Sequence, residues 1–191
     1  MKLVFATNNL NKLSEIQSLV PEEIEILSLK DIDCNEELPE TKFTLEGNAL
    51  DKATYVFENY GYNCFADDTG LEIDALNGEP GVYSARYAGE NSVAEDNMTL
   101  VLQKLEGITQ RTCIFRTVIA LVIDGNITLF EGSCSGVIKE TRSGVKGFGY
   151  DPIFMPSGFK KTFAEMNQNE KGSISHRGKA VKKLVEFLDS I

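Results

Sequence analysis

The sequence predicts an α/β fold: a mixed β-sheet flanked by helices, in two lobes around a central cleft. Short apolar runs rich in strand-forming residues alternate with segments whose apolar residues recur at helical spacing, which is typical of α/β proteins. In the second half of the chain two long strand-like runs follow each other directly, which adds antiparallel pairing. The 191 residues, 42% of them hydrophobic, predict one domain, residues 1–191, with an ample core.

The first half of the chain alternates predicted strands and helices. Residues 2–6 (KLVFA) form a short apolar strand, and a helix with apolar residues at helical spacing follows. A second strand is predicted in IEILSL (24–29), before a longer helix that Gly61 ends. Lys52 lies in that longer helix, one residue off its apolar stripe. The residues predicted to face inward are Leu13, Ile16 and Val20 in the first helix, and Leu45, Ala49, Ala53 and Phe57 in the second.

The middle of the chain is predicted to contain one strand, one irregular loop and one helix. YNCFADD (62–68) has the composition of a strand. Residues 76–90 are punctuated by glycine and proline, which predicts an ordered but irregular loop. Residues 92–105 form a helical pattern with Val101 and Leu105 on the inner side.

A hairpin, a short strand and a final helix are predicted in the last third. Two long strand runs are separated by Asp124, Gly125 and Asn126, and such residues tolerate the positive φ angles of tight hairpin turns. A short strand follows in IFMP (153–156). The closing amphipathic helix spans residues 179–188, with Ala180, Leu184 and Leu188 facing inward.

Composition excludes several classes of protein. A formal net charge of -10 repels polyanions, so nucleic acid is not an expected partner. The chain has no apolar run long enough to span a membrane and no signal-like apolar segment, so neither a membrane partner nor secretion is expected. Its four cysteines lack the spacing of a zinc site or a disulfide framework. We therefore expect reduced, mostly buried thiols and a cytoplasmic protein.

The polar segment TNNLNK (7–12) joins the first strand to the first helix. Free backbone N–H groups and the helix dipole favour an anion at such a position, and Lys12 adds a positive charge. The segment lacks the glycines of a Walker loop or dinucleotide fingerprint. An asparagine-rich helix cap is therefore an equally good interpretation of these residues.

Three acidic residues are the candidate metal ligands. Magnesium is commonly held by one or two carboxylates together with substrate phosphates and water, and Glu40, Asp67 and Asp68 could supply them. The alternative is a solvated strand end, which is weakened because Thr69 and Gly70 follow at once, as in a tight turn facing a cleft. Adjacent residues of a strand point to opposite faces, so Asp67 and Asp68 should have different roles.

Two C-terminal segments could contact a ring-containing ligand. In GFGYDP (147–152) the glycines allow close approach while Phe148 and Tyr150 offer aromatic faces, although a simple turn with a core phenylalanine is as good an interpretation. In KGSISHRGK (171–179) Ser173 or Ser175 would cap a helix whose first turn contains cationic residues, an unfavourable place that hints at a ligand. A lone histidine is more often structural.

Five ordered blocks together resemble the inosine triphosphate pyrophosphatase family, also called the HAM1 or RdgB type. The resemblance covers essentially the whole chain. The blocks are FATNNLNKLSEI (5–16), TLEGNALDKA (44–53), FADDTGLEIDALNGEPGVYSARYAG (65–89), GFGYDPIF (147–154) and EKGSISHRGKA (170–180).

The resemblance implies a fold, an activity, a cofactor and an assembly. The implied fold is an elongated α/β structure in which a long mixed sheet floors a cleft between two lobes. The implied activity is hydrolysis of non-standard purine nucleoside triphosphates (ITP, dITP, XTP) to the monophosphate and pyrophosphate, which cleanses the nucleotide pool. The implied cofactor is Mg²⁺, and the implied assembly is a homodimer.

The resemblance also implies roles for individual residues. Glu40 and Asp68 correspond to the metal carboxylates, and Asp68 also to the catalytic base that activates water. Phe148 corresponds to the residue that stacks on the base, and His176 with Arg177 to the pair that meets the purine edge. The remaining residues implied in substrate binding are Thr7, Asn8, Asn9, Leu10, Asn11, Lys12, Lys52, Thr69, Gly149, Tyr150, Asp151 and Lys171.

Two other functions fit parts of the sequence. A catalytically silent nucleotide-binding module would use the same loop and lysines without needing Glu40 and Asp68 as metal ligands. A phosphohydrolase for other modified nucleotides, such as pyrimidine dNTPs, would share the acids and lysines and differ in its base pocket. Magnesium-dependent release of pyrophosphate and a nucleotide panel distinguish these alternatives.

Overall fold

The structure is a computed structural model that describes residues 1–90 and 93–191. Its described residues form five α-helices and seven strands, with short 3-10 turns between them. In chain order these are β1 Lys2–Phe5, α1 Leu10–Leu19, β2 Glu25–Leu27, α2 Leu45–Tyr60, β3 Cys64–Ile73, β4 Pro80–Gly81, α3 Ala94–Lys104, β5 Thr112–Ile123, β6 Asn126–Ile138, β7 Phe154–Pro156, α4 Gln168–Ile174 and α5 His176–Leu188.

The strands form a mixed sheet in the order β2-β1-β3-β5-β6-β7, with β4 paired to β3. Strand β1 is parallel to both β2 and β3. Strands β4 and β7 pair antiparallel with β3 and β6. The hairpin between β5 and β6 turns on Asp124 and Gly125, both with positive φ, as the sequence predicts. The predicted α/β fold with a mixed sheet is confirmed.

The chain divides into two compact units. The first contains residues 1–68, 117–132 and 177–191, and the second contains residues 69–116 and 133–176. Strands β3, β5 and β6 each contribute residues to both units. A single domain with two lobes around a cleft stays a prediction.

The core of the first unit forms where β1 and β3 meet helices α1 and α5. Phe5 and Phe65 stack there with ring centroids 4.7 Å apart. Ala180, Leu184 and Leu188 are buried in the same core, as predicted for the inner face of the last helix. This packing fixes the starts of α1 and α5 beside strand β3, which contains both aspartates.

The core of the second unit is built around aromatic rings. Phe115 lies 4.7 Å from Phe154, and Phe154 lies 4.8 Å from Phe163, measured between ring centroids. Leu71 and Ile73, at the end of β3, are also fully buried in this core. Burial of these two residues keeps the strand extended beyond its pair of aspartates.

Three predictions about the elements need correction. Thr69 and Gly70 do not form a tight turn after Asp68; strand β3 continues through them because Leu71 and Ile73 have a core to enter. Helix α4 is missing from the predictions, because its seven residues are too few to show a helical period. Helix α5 begins at His176, directly after Ser175, one of the two predicted capping residues, and three residues before the predicted range 179–188.

The predictions for α3 and for the cysteines agree with the structure over the described residues, whereas the predicted inward position of Phe57 does not. Helix α3 begins at Ala94, within the predicted range, whose first residue, Ser92, lies outside the described residues. Phe57 is only half-buried, and Val56 takes its place on the buried face of α2. All four cysteines are free and buried. Within 1–90 and 93–191 no helix combines the length and the apolar character needed to cross a bilayer.

Candidate functional site

The segment 7–12 ends strand β1 and opens helix α1. The Asn9 side chain caps the helix, because its Oδ1 accepts from the backbone N–H groups of Asn11 and Lys12 at 3.0 and 3.1 Å. The Thr7 Oγ1 accepts from the Asn9 N–H at 3.2 Å. Asn8 and Leu10 are exposed at the tip, with Leu10 71% exposed. The helix-cap interpretation is therefore correct for Asn9, and the tip itself faces solvent.

The side chain of Lys12 turns inward from this tip. Its Nζ donates to Asp67 Oδ1 at 2.9 Å, and the Asp67 side chain is fully buried. Burial lowers the pKa of Lys12, and the neighbouring Asp67 only partly opposes that effect. Lys12 and Asp67 therefore form a buried ion pair beside the first turn of α1.

Arg177, at the start of α5, approaches Asp67 from the other side. Its Nε and Nη2 donate to Asp67 Oδ2 at 3.2 and 3.1 Å, and its Nη1 donates to Glu15 Oε2 at 2.6 Å. The Arg177 side chain is 2% exposed. Lys12, Glu15, Asp67 and Arg177, which we call the buried tetrad, carry two charges of each sign.

The charges of the buried tetrad keep Asp67 ionised. Burial alone would raise the pKa of this carboxyl, but Lys12 and Arg177 together outweigh burial and hold the pKa well below the usual range of an aspartate. Asp67 can therefore anchor two cations and has no capacity left as a base near neutral pH.

Asp68 has different partners from those of Asp67, as strand alternation predicts. Its Oδ2 accepts from Asn48 Nδ2 at 3.0 Å, and its Oδ1 lies 3.8 Å from Lys52 Nζ. Burial raises the pKa of Asp68, and the charges of Lys52 and Lys12 only partly oppose that rise. A carboxylate with a raised pKa is suited to accept a proton.

Glu40 joins Asp68 at the same ammonium group. Lys52 Nζ donates to Glu40 Oε1 at 2.5 Å, and the Glu40 side chain is 36% exposed. Burial alone would lower the pKa of Lys52, but Asp68 and Glu40 together outweigh burial and raise it. Asn48, Glu40, Lys52 and Asp68, which we call the Lys52 cluster, bring two carboxylates to one cation.

The Lys52 cluster fits a magnesium ion in its donor type and number. Magnesium prefers oxygen ligands and commonly takes one or two carboxylates, completing its shell with water and phosphate oxygens. Over residues 1–90 and 93–191 no group of three or more acidic, histidine or cysteine side chains is placed to hold a metal alone. A pair of carboxylates, one of them partly exposed, matches an ion that is shared with a substrate.

The second unit contains the aromatic loop, residues 147–151. Asp151 is buried, and its Oδ2 accepts from Lys171 Nζ at 2.7 Å and from the Phe148 N–H at 2.8 Å. Gly147 has a φ of 73°, and a Cβ there would lie 2.0 Å from Asp151 Oδ2. Only glycine allows the loop to close on this carboxylate.

The same loop places a ring next to a cation. Lys171 Nζ lies 5.0 Å from the centroid of the half-buried Phe148 ring and 5.5 Å from that of Phe163. Tyr150 is buried, and its hydroxyl donates to the Ser84 carbonyl at 2.7 Å. Tyr150 is therefore a structural anchor of the loop, and Phe148 is the ring able to meet a ligand.

The side chains of His176 and Arg177 have different partners, although the two residues are consecutive. His176 stacks on Phe115 at 4.5 Å between ring centroids, within the second unit. Arg177 is held by Asp67 and Glu15 in the first unit. Arg177 therefore belongs to the buried tetrad, and the contact of His176 and Arg177 with a purine edge stays a prediction.

Two residues of the first unit were missing from the sequence predictions. Glu15 contacts Arg177, and Asn48 contacts Asp68. Helical spacing could have identified both residues. Glu15 lies three residues after Lys12 in α1, and Asn48 lies four residues before Lys52 in α2. Both therefore lie on the helix faces that already carried a predicted site lysine. Thr69, which was predicted to bind substrate, is half-buried and belongs to the second unit.

Comparison with known proteins places the chain in a family. The model of the Ham1 family matches residues 3–187. The chain is 59% identical to a dITP/XTP pyrophosphatase of Flavobacterium johnsoniae, with 98% of each protein covered. It is 50% identical to a dITP/XTP pyrophosphatase of Porphyromonas gingivalis, with 98% of this chain and 97% of that protein covered.

Solved structures agree with these sequence matches. The fold is similar to that of the Staphylococcus aureus Ham1 protein, with a TM-score of 0.89, 38% identity, and 100% of this chain and 99% of that chain covered. It is also similar to a HAM1 protein from Coxiella burnetii, with a TM-score of 0.91, 36% identity, and both chains covered at 100%. The family predicted from five sequence blocks is confirmed: the chain belongs to the Ham1 family.

Proposed function

We propose that this chain hydrolyses non-standard purine nucleoside triphosphates, among them dITP, ITP and XTP, to the monophosphate and pyrophosphate. The names of its relatives support this activity. The observation in the chain itself that carries the proposal is the Lys52 cluster, in which Glu40 and Asp68 converge on one buried ammonium group. A binding module without catalysis would have no use for that arrangement.

We propose that Glu40 and Asp68 hold Mg²⁺ together with phosphate oxygens of the substrate. When bound, the ion would neutralise charge on the phosphates and on the pyrophosphate that leaves. Lys52 already shows that this position favours positive charge, because two carboxylates are directed at it. The ion would share the carboxylates with Lys52, and both charges would serve the same phosphates.

The phosphates are proposed to bind at the start of α1. The exposed tip formed by Asn8, Leu10 and Asn11 offers backbone groups at the positive end of a helix dipole. The Lys12 ammonium, 14% exposed and fixed by Asp67, adds positive charge beneath the tip. The buried tetrad thus fixes the position of Lys12 next to segment 7–12, where the phosphates are proposed to bind.

Asp68 is the proposed catalytic base. Its carboxylate would orient a water molecule and accept its proton while the water oxygen bonds to the α-phosphorus and the bond from the α-phosphorus to the bridging oxygen breaks. Pyrophosphate then leaves with the bridging oxygen. Burial raises the pKa of Asp68, bound Mg²⁺ would act in the opposite direction, and the bond from Asn48 fixes the position of the carboxylate.

The base of the nucleotide is proposed to bind at the aromatic loop. Phe148 would stack on the ring, and Lys171, held by Asp151 next to that ring, would donate to the 6-oxo group of inosine or xanthine. Adenine has a 6-amino donor at that position, which the ammonium cannot accept. Lys171 and backbone N–H groups are the proposed donors that select the base, and a contact of Arg177 with the purine edge stays a prediction.

A nucleotide panel tests this proposal. We expect the purified chain to release pyrophosphate from dITP, ITP and XTP at kcat/KM values about 100-fold above those for ATP, because a 6-amino group leaves buried polar groups unmatched. We expect EDTA to abolish the release and Mg²⁺ to restore it. Equal rates on ITP, XTP, GTP and ATP would refute the proposed base selection, and release that survives EDTA would refute the proposed metal.

We further propose that the enzyme works as a homodimer in the cytoplasm. The family resemblance supports the homodimer, and the four free, buried thiols suit a reducing compartment. The net charge of -10 argues against a nucleic acid partner, so the expected partner is the small nucleotide alone.

A further inference from the structure

We propose that Asn48 is a positioning residue that ties together the two carboxylates of the Lys52 cluster. Its Nδ2 donates to Asp68 Oδ2 at 3.0 Å, while its Oδ1 accepts from the Lys42 N–H at 2.8 Å. Lys42 lies two residues after Glu40 in the chain. One buried side chain, 1% exposed, therefore links the backbone next to Glu40 with the carboxylate of Asp68. The inference rests on the proposed function.

The segment that contains Glu40 is irregular and is attached to α2 by side-chain contacts, among them Lys52 with Glu40 and Tyr60 with Glu36. Residues 33–44 contain no helix or strand, whereas Asp68 lies in the middle of β3 and Lys52 in the middle of α2. Glu40 therefore lies on irregular backbone, and its distance from Asp68 depends on how this segment attaches to α2. The bond between Asn48 and the Lys42 N–H is a buried attachment point.

A second observation shows that the segment is pressed closely onto α2 beside Asn48. A Cβ at Gly47 would lie 2.7 Å from Lys42 Cβ, so only glycine leaves room for Lys42 at that point of the helix. Lys42 Nζ also pairs with Asp51 Oδ2 at 3.3 Å on the same helix. Lys42 is therefore one of the points where the Glu40 segment meets α2, and Asn48 binds its backbone there.

The chemistry of position 48 requires an amide. The Lys42 N–H can only donate and the ionised Asp68 carboxylate can only accept, so residue 48 must accept on one side and donate on the other. Aspartate has the same shape but no donor, and alanine has neither group. Side chains that orient metal ligands commonly contribute about 10- to 100-fold to metal affinity or activity.

Asn97 provides a matched control in the second unit. It is 4% exposed, its Oδ1 accepts from the Ala88 N–H at 2.7 Å, and its Nδ2 donates to the Ala85 carbonyl at 3.0 Å. Like Asn48 it bridges a helix to a loop, but among residues 1–90 and 93–191 its hydrogen-bond partners are backbone groups and no carboxylate. Asn97→Ala therefore reproduces the structural loss without the proposed effect on the metal ligands.

The test combines kinetics with hydrogen exchange at the Lys42 amide. We expect Asn48→Ala to accelerate exchange of that amide, to raise the Mg²⁺ concentration for half-maximal pyrophosphate release by about 10-fold and to lower kcat by about 10-fold. The nucleotide KM at saturating Mg²⁺ should stay within about 3-fold of wild type. Asn48→Asp should keep the Lys42 amide protected and still lower kcat, because the new carboxylate has no donor for Asp68 when ionised and places a second negative charge beside it.

Several outcomes would overturn the inference. Faster exchange in Asn48→Ala with an unchanged Mg²⁺ requirement and unchanged kcat would show that the bond positions nothing. An equal rise in the Mg²⁺ requirement for Asn97→Ala would show a general effect of instability. If Asn48→Ala does not fold, a wild-type kcat in Asn48→Asp is by itself sufficient to overturn the inference. A wild-type chain that releases no pyrophosphate removes the proposed function and this inference together, whereas an active wild type with an unaffected Asn48→Ala removes only the inference.

Discussion

Asp68→Asn is expected to lower kcat for pyrophosphate release by about 1,000-fold, because the amide cannot accept the proton of the attacking water. Folding should be nearly unaffected. The amide has the same shape, it removes a buried charge whose ionised form burial already disfavours, and Lys52 keeps Glu40 as its partner. We expect the free energy of unfolding to change by less than about 1 kcal/mol. Steady-state kinetics and denaturant unfolding of the same preparation check both expectations.

In Asp68→Asn the loss of the catalytic base must be distinguished from the loss of a metal ligand. Asp68→Asn should remain inactive at Mg²⁺ concentrations well above those that saturate wild type, because the missing base cannot be replaced by more metal. Full rescue by Mg²⁺ would assign Asp68 to metal binding alone. Turnover close to wild type would show that another group activates the water.

Asp67→Asn, unlike Asp68→Asn, is expected to cause a large loss of folding stability. The substitution removes the carboxylate that pairs with both Lys12 and Arg177, and of these two cations Arg177 keeps Glu15. Breaking a buried ion pair by removing one partner typically costs about 3–5 kcal/mol, because the remaining charge is left without compensation. For a chain of this size that corresponds to a fall in Tm on the order of 10 °C. Calorimetry or denaturant unfolding measures it.

A comparison within the tetrad serves as the control for Asp67. Glu15 is partly exposed, with a side chain 16% accessible, and Arg177 keeps Asp67 when Glu15 is lost. Glu15→Gln should therefore destabilise the protein much less than Asp67→Asn. Equal losses for the two variants, or a stable Asp67→Asn, would contradict the role of Asp67 as the anchor of two cations.

The two aspartates show which features of the site the sequence alone could predict and which it could not. Strand alternation predicts different roles for Asp67 and Asp68, and their separate partners agree with that prediction. The turn expected at Thr69 and Gly70 was wrong, because a threonine and a glycine after polar residues have the composition of a turn in any context. Only the buried positions of Leu71 and Ile73 in a core formed by distant segments show that the strand continues.

The buried tetrad lay beyond sequence reasoning for a similar reason. Lys12 and Arg177 are cations at helix starts, as ligand-binding residues often are. In the structure both bind Asp67, which lies 55 residues from Lys12 and 110 residues from Arg177 in the chain. Pairing at that separation is decided by the sheet, which places β3 next to β1. The resemblance to a family could name these residues but could not show which of them hold each other.

The central claim is that water attacks the α-phosphorus with Asp68 as the base. Hydrolysis of dITP in ¹⁸O-labelled water, followed by mass spectrometry of both products, tests it most directly. We predict equal amounts of dIMP and pyrophosphate, with the label in dIMP alone and with product formation nearly abolished in Asp68→Asn. Label in pyrophosphate, or release of inorganic phosphate and dIDP, would contradict the account.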